Sequence, residues 1–284
     1  MARVLITGTN SGIGLETVFT MARAGHTVYA TLRNLDKATV LRETIDREKL
    51  PVSILELDVT SDESVTGAFA SIYKSGGSID VLINNAGIER MGPVEELPME
   101  AFRTTMETNY FGSLRCIRAC VGEMRRQRSG CIVNISSVAG RIPLSPLAPY
   151  VASKYALEAL SETLAQELKA FNIRVAIVEP GIVDTPMARR LEDGSSETEY
   201  PQLRRCSELF TAALANQTPP SLIAEEIRRI IESGTWQLRH PVGPDAELLL
   251  NWRESRTDEE WVGLGALDDA AWNEHLETAF ATNA

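Results

Sequence analysis

Tyr150 and Lys154 stand four residues apart in "SPLAPYVASKYALEAL" (145–160), a stretch that reads as the opening of a helix. Helical geometry brings positions four apart onto one face, so the phenol and the ammonium are neighbours. A free phenol keeps its proton up to a pKa of about 10, and a lysine charge beside it favours the phenolate. Such a pair is a tunable acid/base, although an ordinary solvated helix face can carry the same two residues. The surroundings decide between these readings. Ser137 ends the apolar run "GCIVNISS" (130–137), thirteen residues before Tyr150, and Asn109 lies inside a long helical segment. Near the start, "TGTNSGIG" (7–14) sets glycines at 8, 12 and 14 between an apolar strand and a helix. Glycines there permit a tight turn and close approach to a pyrophosphate, which would rest on the free N–H groups of the helix start.

These residues need a scaffold, and the chain supplies one by alternation. Apolar runs at 3–8, 26–33, 52–59, 79–87, 130–137 and 173–181 read as buried strands, with a last strand at 236–243. Between them the pattern predicts a helix ending near Gly25 and others over 35–48, 61–74, 99–128, 150–171 and 221–234. Thr60 and Glu63 have the spacing of a capping box for the third of these. Near-continuous Val/Ile/Leu strands alternating with helices imply an α/β, single-domain, doubly wound parallel sheet of about seven strands with helices on both faces. Such sheets bind ligands beyond the carboxyl ends of their strands, which is where the residues above fall. Residues 1–250 read as this domain and 251–284 as an acidic extension. The segment 186–220 begins polar ("EDGSSETEY") and continues with an apolar stripe of Leu203, Cys206, Phe210 and Leu214, the pattern of a mobile lid.

A threonine with G-x-x-x-G-x-G, then N-N-A-G (84–87), then serine and Y-x-x-x-K, resembles the short-chain dehydrogenase/reductase family in the right order from residue 3 to about 245. The resemblance implies a Rossmann fold and interconversion of a ketone or aldehyde with its alcohol, using a nicotinamide dinucleotide. It implies that Tyr150 passes a proton to or from the substrate oxygen. Ser137 bonds that oxygen, with Ser136 the competing strand-end serine, and Lys154 tunes the phenol and holds the nicotinamide ribose. Asn109 holds a water in the proton relay, although Tyr110 replaces the commoner valine beside it. For the cofactor it implies Gly8, Ser11, Gly12, Ile13 and Gly14 around the pyrophosphate, Asp58 and Val59 at the adenine, and Asn85, Ala86 and Gly87 at the adenosine ribose. The Pro-Gly turn of Pro180 and Gly181 follows, with Val183 and Thr185 at the carboxamide. The second strand ends with Leu32 and Arg33 where an acidic residue would select NAD, so NADP is the expected cofactor and NAD the runner-up. Asp36 lies three residues further on, in the first turn of the next helix. Helices 99–128 and 150–171 imply a homodimer or homotetramer.

Substrate walls are expected from Ile88–Met91, Arg141–Pro149 and the segment after Thr185, mixing Ile142, Leu144, Leu147, Met187 and Phe210 with Arg90 and Arg141. "ATLRN", "TNYFG" and "PVGPDA" are similar to members acting on steroids, retinoids and other hydrophobic alcohols. Two alternatives are a dinucleotide-sensing regulator without catalysis and an epimerase or dehydratase on the same fold. The intact Ser137, Tyr150 and Lys154 count against the first, and the glycine spacing and short C-terminal region against the second.

Composition narrows the partners. A net charge of −11, from 28 basic and 39 acidic residues, argues against nucleic acid and anionic membranes. From Arg253 onward there are two basic and eight acidic residues. Four cysteines without metal-ligand spacing and three scattered histidines argue against a metal site. No signal peptide or membrane-length apolar run is evident, so a soluble, cytoplasmic protein is expected.

Overall fold

In the computed structural model, which describes residues 1–192 and 197–281, seven parallel strands form one sheet. They are β1 (Arg3–Thr7), β2 (Thr27–Leu32), β3 (Val52–Glu56), β4 (Val81–Asn84), β5 (Gly130–Ile135), β6 (Ile173–Pro180) and β7 (Arg239–Val242), in the order β3-β2-β1-β4-β5-β6-β7. The order reverses between β1 and β4, which opens a crevice beyond the carboxyl ends of those strands.

The first helices are α1 (Gly12–Arg23), α2 (Thr39–Glu48), α3 (Asp62–Lys74), α4 (Met99–Met106), α5 (Gly112–Gln127) and α6 (Ala148–Lys169). After β6 come α7 (Pro186–Arg189), α8 (Pro201–Ala215) and α9 (Pro220–Ser233), and after β7 come α10 (Ala246–Glu254), α11 (Asp258–Gly263) and α12 (Asp269–Ala281). Strand side chains alternate between faces, so Val4 and Ile6 of β1 enter one core layer and Leu5 the other. The first layer receives Val18 and Met21 of α1, Leu41 of α2 and Ile223, Ile227 and Ile230 of α9. The second receives Phe69 and Ile72 of α3, Ile117 of α5 and Leu164 and Leu168 of α6, together with Cys116 and Cys120. Both faces are covered, as a parallel sheet requires.

A buried polar chain fixes α6 against the sheet. Asn84 of β4 donates from Nδ2 to Asn134 Oδ1 of β5 (2.8 Å), and Asn134 Nδ2 donates to Ser161 Oγ of α6 (2.8 Å). Unpaired amides in this core would cost roughly 1–3 kcal/mol each, so the chain defines one register of helix on strand.

Local details depart from the sequence reading in three places. The capping box of Thr60 and Glu63 does not form. Asp58 takes both the Thr60 N–H and its hydroxyl, and Ser61 caps α3 instead, accepting from Ser64 N at 3.2 Å. The helix expected over 35–48 is a 3₁₀ turn at Leu35–Lys37, held by Asn34 Oδ1 on Asp36 N, followed by α2. The helix expected over 99–128 is interrupted by a π-helical turn at Glu107–Phe111.

The acidic C-terminal stretch folds back on the body, and α10 runs across residue 250. Trp252 meets Trp261 and Trp272 edge-on, with centroids 4.7 and 6.4 Å away. This cluster packs on Val138, Ile142 and Leu249, and Trp261 Nε1 donates to the Pro143 carbonyl. Asp269 pairs with Arg204 and Arg205 of α8 at 2.5 and 2.9 Å. No helix among the described residues is long and apolar enough to cross a membrane.

Candidate active site

The crevice begins at the turn from β1 into α1. Gly8 has a φ of +70°, and a Cβ there would stand 2.8 Å from the Ala86 Cα, so only glycine lets the two loops approach. Gly12 is also left-handed, at φ +57°, and faces the Thr185 side chain. Thr7 Oγ1 accepts from the N–H groups of Asn85 and Ala86, both at 3.0 Å, while Asn85 Nδ2 donates to the carbonyls of Thr7 and Gly8. The loops after β1 and β4 are thereby stitched together across the switch point. Ser11 precedes α1 and makes no side-chain capping bond, so the first N–H groups of the helix stay open to an anion. This cradle, which any Cβ would fill, fits a dinucleotide pyrophosphate.

The other residues expected at the cofactor line the same cleft: Ile13, Arg33, Asp58, Val59, Asn85, Ala86, Gly87, Pro180, Gly181, Val183 and Thr185, with Leu32 beside Arg33. Gly14 lies one layer behind, against Gly8 and Asn85. Arg33 is exposed, whereas Asp58 spends Oδ1 on Thr60. Asp36 does not reach the cleft lining.

Ser137, Tyr150 and Lys154 meet on the β5–β6 side of this cleft. The start of α6 carries the phenol, and the ammonium follows one turn below with Nζ 5.4 Å from the ring centroid. Nζ donates to the Ile135 carbonyl at 2.7 Å. Burial pushes the Lys154 pKa down to about 8, with the charge of Glu158 pulling the other way. Burial also pushes the Tyr150 phenol up to about 12, opposed by a hydrogen bond with Ser137 and reinforced by the Glu89 charge. In the protein alone burial is the largest influence on the phenol, and it acts against the lowering expected from Lys154. Ser136 is buried against Glu158 and is not the serine facing the phenol.

Asn109 sits in the π-helical turn, a common irregularity at functional sites. Its Oδ1 accepts from Ile88 N (2.8 Å), and Nδ2 donates to Ile88 O and to Ser153 Oγ, both at 2.9 Å. It does not line the cleft; it braces the loop after β4 against α6.

Beyond Tyr150 the cleft opens into a mostly apolar lobe of Leu144, Leu147, Met187, Leu191, Phe210 and Leu249. Leu203, Cys206 and Leu214 of α8 are buried as the apolar stripe implied, and α8 lies over this lobe. Residues 193–196 of the expected lid fall outside the described residues. Three expected wall residues are elsewhere. Ile142 packs under the tryptophans, Arg141 pairs with Glu254, and Arg90 Nη1 donates to its neighbour's carbonyl. The sequence reading missed Leu249, and left Glu89, Leu191 and Leu209 unnamed inside its ranges. Glu89 is 7% exposed, with Oε2 3.3 Å from Arg190 Nη2. A carboxylate two residues after the N-N-A-G stretch was the signal available for it. No group of three or more metal-ligating side chains occurs among the described residues.

The doubly wound parallel sheet thus brings a glycine cradle and a Ser–Tyr–Lys group together at its switch point. A family model described as short chain dehydrogenase matches residues 2–196, and the chain belongs to that family, whose members bind a nicotinamide dinucleotide and act on small molecules. Bovine retinol dehydrogenase 8 is 42% identical over 203 residues, 70% of this chain and 64% of its own length. The chain therefore spans less than two thirds of that relative. A short-chain dehydrogenase structure from Streptomyces avermitilis superimposes with a TM-score of 0.77 at 31% identity, covering 94% of this chain and 98% of that one. A single-substitution variant of actinorhodin polyketide ketoreductase, solved with NADPH, gives a TM-score of 0.74 at 29% identity over 84% of this chain and 95% of its own.

The buried lysine has a consequence for stability. Its folded pKa of about 8 lies below the unfolded value of about 10.4, so the unfolded chain holds this proton more tightly. The resulting penalty is complete below pH 8 and is relieved as the pH rises through the interval between the two values. Lys154→Met is expected to unfold at a higher temperature than the parent at pH 7, with the advantage shrinking toward pH 9.5. Thermal unfolding across that range checks this, and a gap that stays constant would contradict it.

Proposed function

We propose that this chain is an NADP(H)-dependent oxidoreductase that interconverts a ketone or aldehyde with the corresponding alcohol on a moderately hydrophobic substrate. The observation that carries the reading is the meeting of the Tyr150 phenol, the Ser137 hydroxyl and the buried Lys154 ammonium where the glycine cradle gives way to an apolar lobe. A nicotinamide dinucleotide, when bound, supplies or takes up the hydride. Gly8, Gly12 and the open start of α1 would hold its pyrophosphate, and Arg33 the 2′-phosphate.

In the reductive direction the proton sits on Tyr150 Oη at neutral pH, because burial raises the phenol. Tyr150 gives that proton to the substrate oxygen, and Ser137 Oγ bonds the same oxygen as charge builds there. Lys154, still charged at neutral pH, stabilises the phenolate left behind. In the oxidative direction the same atoms work in reverse. The leucines and Phe210 of the lobe favour an apolar substrate body, in keeping with the name of the retinol dehydrogenase relative.

Tyr150→Phe keeps the ring and removes the proton, so turnover is expected to fall by about 100-fold or more while cofactor affinity holds. Steady-state kinetics with a carbonyl panel and cofactor titration check this; near-normal turnover would overturn the mechanism. Arg33→Asp removes a phosphate partner and installs an acceptor for a ribose hydroxyl. Its Kd for NADP is expected to rise about tenfold or more and its preference to pass to NAD. A parent protein that already binds NAD more tightly would refute the NADP assignment. A homodimer or homotetramer through α5 and α6 belongs to the same reading, since Phe111 beside α5 and Tyr155 on α6 are exposed aromatics. Light scattering at micromolar concentration is expected to return a multiple of the chain mass, and the single-chain mass would count against it.

A further inference from the structure

One carboxylate stands in the cleft without a part in the reaction above. Glu89 is 7% exposed and lines the cleft together with Tyr150, Leu144, Leu147, Met187 and Leu191. It is close enough to the phenol for its charge to raise the Tyr150 pKa. Burying a carboxylate beside leucines is costly unless its oxygens are hydrogen-bonded. Oε2 has Arg190 Nη2 at 3.3 Å, whereas Oε1 accepts no hydrogen bond among the described residues.

The backbone beneath this side chain is clamped. Asn109 holds the preceding residue from both sides, Oδ1 accepting from Ile88 N at 2.8 Å and Nδ2 donating to Ile88 O at 2.9 Å. Arg90 Nη1 donates to the Glu89 carbonyl at 2.7 Å. The π-helical turn that carries Asn109 therefore fixes the base of Glu89, and a side chain on a braced backbone inside a cleft is preorganised for a ligand. Its charge is already answered. The Arg190 side chain is 62% exposed and lies outside the cleft lining, so the counter-charge reaches Glu89 from the solvent edge. A second cation at Oε1 would stand beside the guanidinium and be repelled by it. A neutral hydroxyl would supply the missing donor without that repulsion.

We propose that Glu89 is a specificity-determining residue whose carboxylate accepts a hydrogen bond from a hydroxyl that the substrate carries near its reacting carbonyl. The substrate class is then an apolar hydroxy ketone or hydroxy aldehyde and, in the oxidative direction, the matching diol. The leucines and Phe210 of the lobe cover the apolar body, while Oε1 fixes the end of the molecule that faces Tyr150. A compound without the hydroxyl leaves that buried oxygen unpaired, so it is rejected rather than merely less attracted. The inference deepens the proposed function and rests on it for its kinetic readout.

The test is reduction, by the full chain, of a set of ketones on one carbon skeleton. In these the hydroxyl is absent or stands one, two or three carbons from the carbonyl, and an amine replaces it in a parallel series. In the parent at least one hydroxy ketone is expected to exceed the plain ketone in kcat/KM by about tenfold or more, and to exceed its amine counterpart. In Glu89→Leu the ratio of hydroxy to plain ketone is expected to collapse toward one. Glu89→Gln, which keeps a neutral acceptor, is expected to retain part of it. Arg190→Gln is expected to retain the ratio and to narrow the gap to the amines, since the counter-charge is gone. A parent that favours no hydroxy ketone, or that favours the amines, overturns the proposal. So does a folded Glu89→Leu protein that loses the same factor on both kinds of ketone, which is what a mere strut between Glu89 and Arg190 would give. Should the parent reduce no ketone at all, the proposed activity fails by itself. Kd values for the same compounds from ligand-observed NMR then decide. Tighter binding of a hydroxy ketone than of the plain one, lost in Glu89→Leu, supports the inference, and its absence overturns it.

Discussion

Taking the Lys154 ammonium out of water is costly, because the hydration it loses must be replaced by protein oxygens and counter-charge. The surroundings of α6 are arranged to meet that demand. The Ile135 carbonyl at the end of β5 receives Nζ, the Tyr150 ring flanks it, and Glu158 lies one turn below. The Asn84–Asn134–Ser161 chain then fixes the helix so that these groups cannot slide. If α6 rotated by one residue, the ammonium would lose its acceptor and the phenol would leave the cleft. Placement of the lysine therefore determines the register of the helix on the sheet, and with it the position of the phenol.

The cofactor side of the cleft is held differently. There the constraint is space rather than charge, since Gly8 and Ala86 approach too closely for any side chain and Thr7 bonds two successive N–H groups of the neighbouring loop. The two sides meet at the switch point, where an opening in the sheet order is available without breaking strand pairing. A rigid wall of backbone on one side faces a wall of titrating side chains on the other.

Much of this was legible in the sequence because it follows from periodicity and from residue types with few alternative uses. Seven apolar runs gave the strands, the glycines marked the cradle, and Tyr150 with Lys154 followed from helical spacing. What stayed hidden depends on competition between groups distant in sequence. The helix through Asn109 looks continuous because an extra residue in a π-helical turn leaves no mark on an apolar pattern; the backbone of Ile88 rewards it. Thr60 and Glu63 had capping spacing, but Asp58 bound the threonine first. Spacing alone cannot weigh burial against a neighbouring charge, so the direction of the Tyr150 shift in the protein alone was not legible. Glu179 was readable in principle, as a lone carboxylate inside the apolar run "AIVEPG", although the arginines near it, Arg141 and Arg239, come from a loop and β7.

The tryptophan-clustered tail and α8 lie on the far side of the cleft from the glycines, and their contributions, Leu209, Phe210 and Leu249, fall after residue 196, where the family match ends. The Tyr150 phenol, the Lys154 ammonium and the glycine cradle all fall before it. The lobe itself draws on both parts of the chain, Leu144, Leu147, Met187 and Leu191 from the earlier and Phe210 and Leu249 from the later. On the proposed reading, drift in the later segment alters part of the lobe while leaving Tyr150, Lys154 and the cradle undisturbed, so paralogues of such a protein can diverge in diet long before they diverge in chemistry.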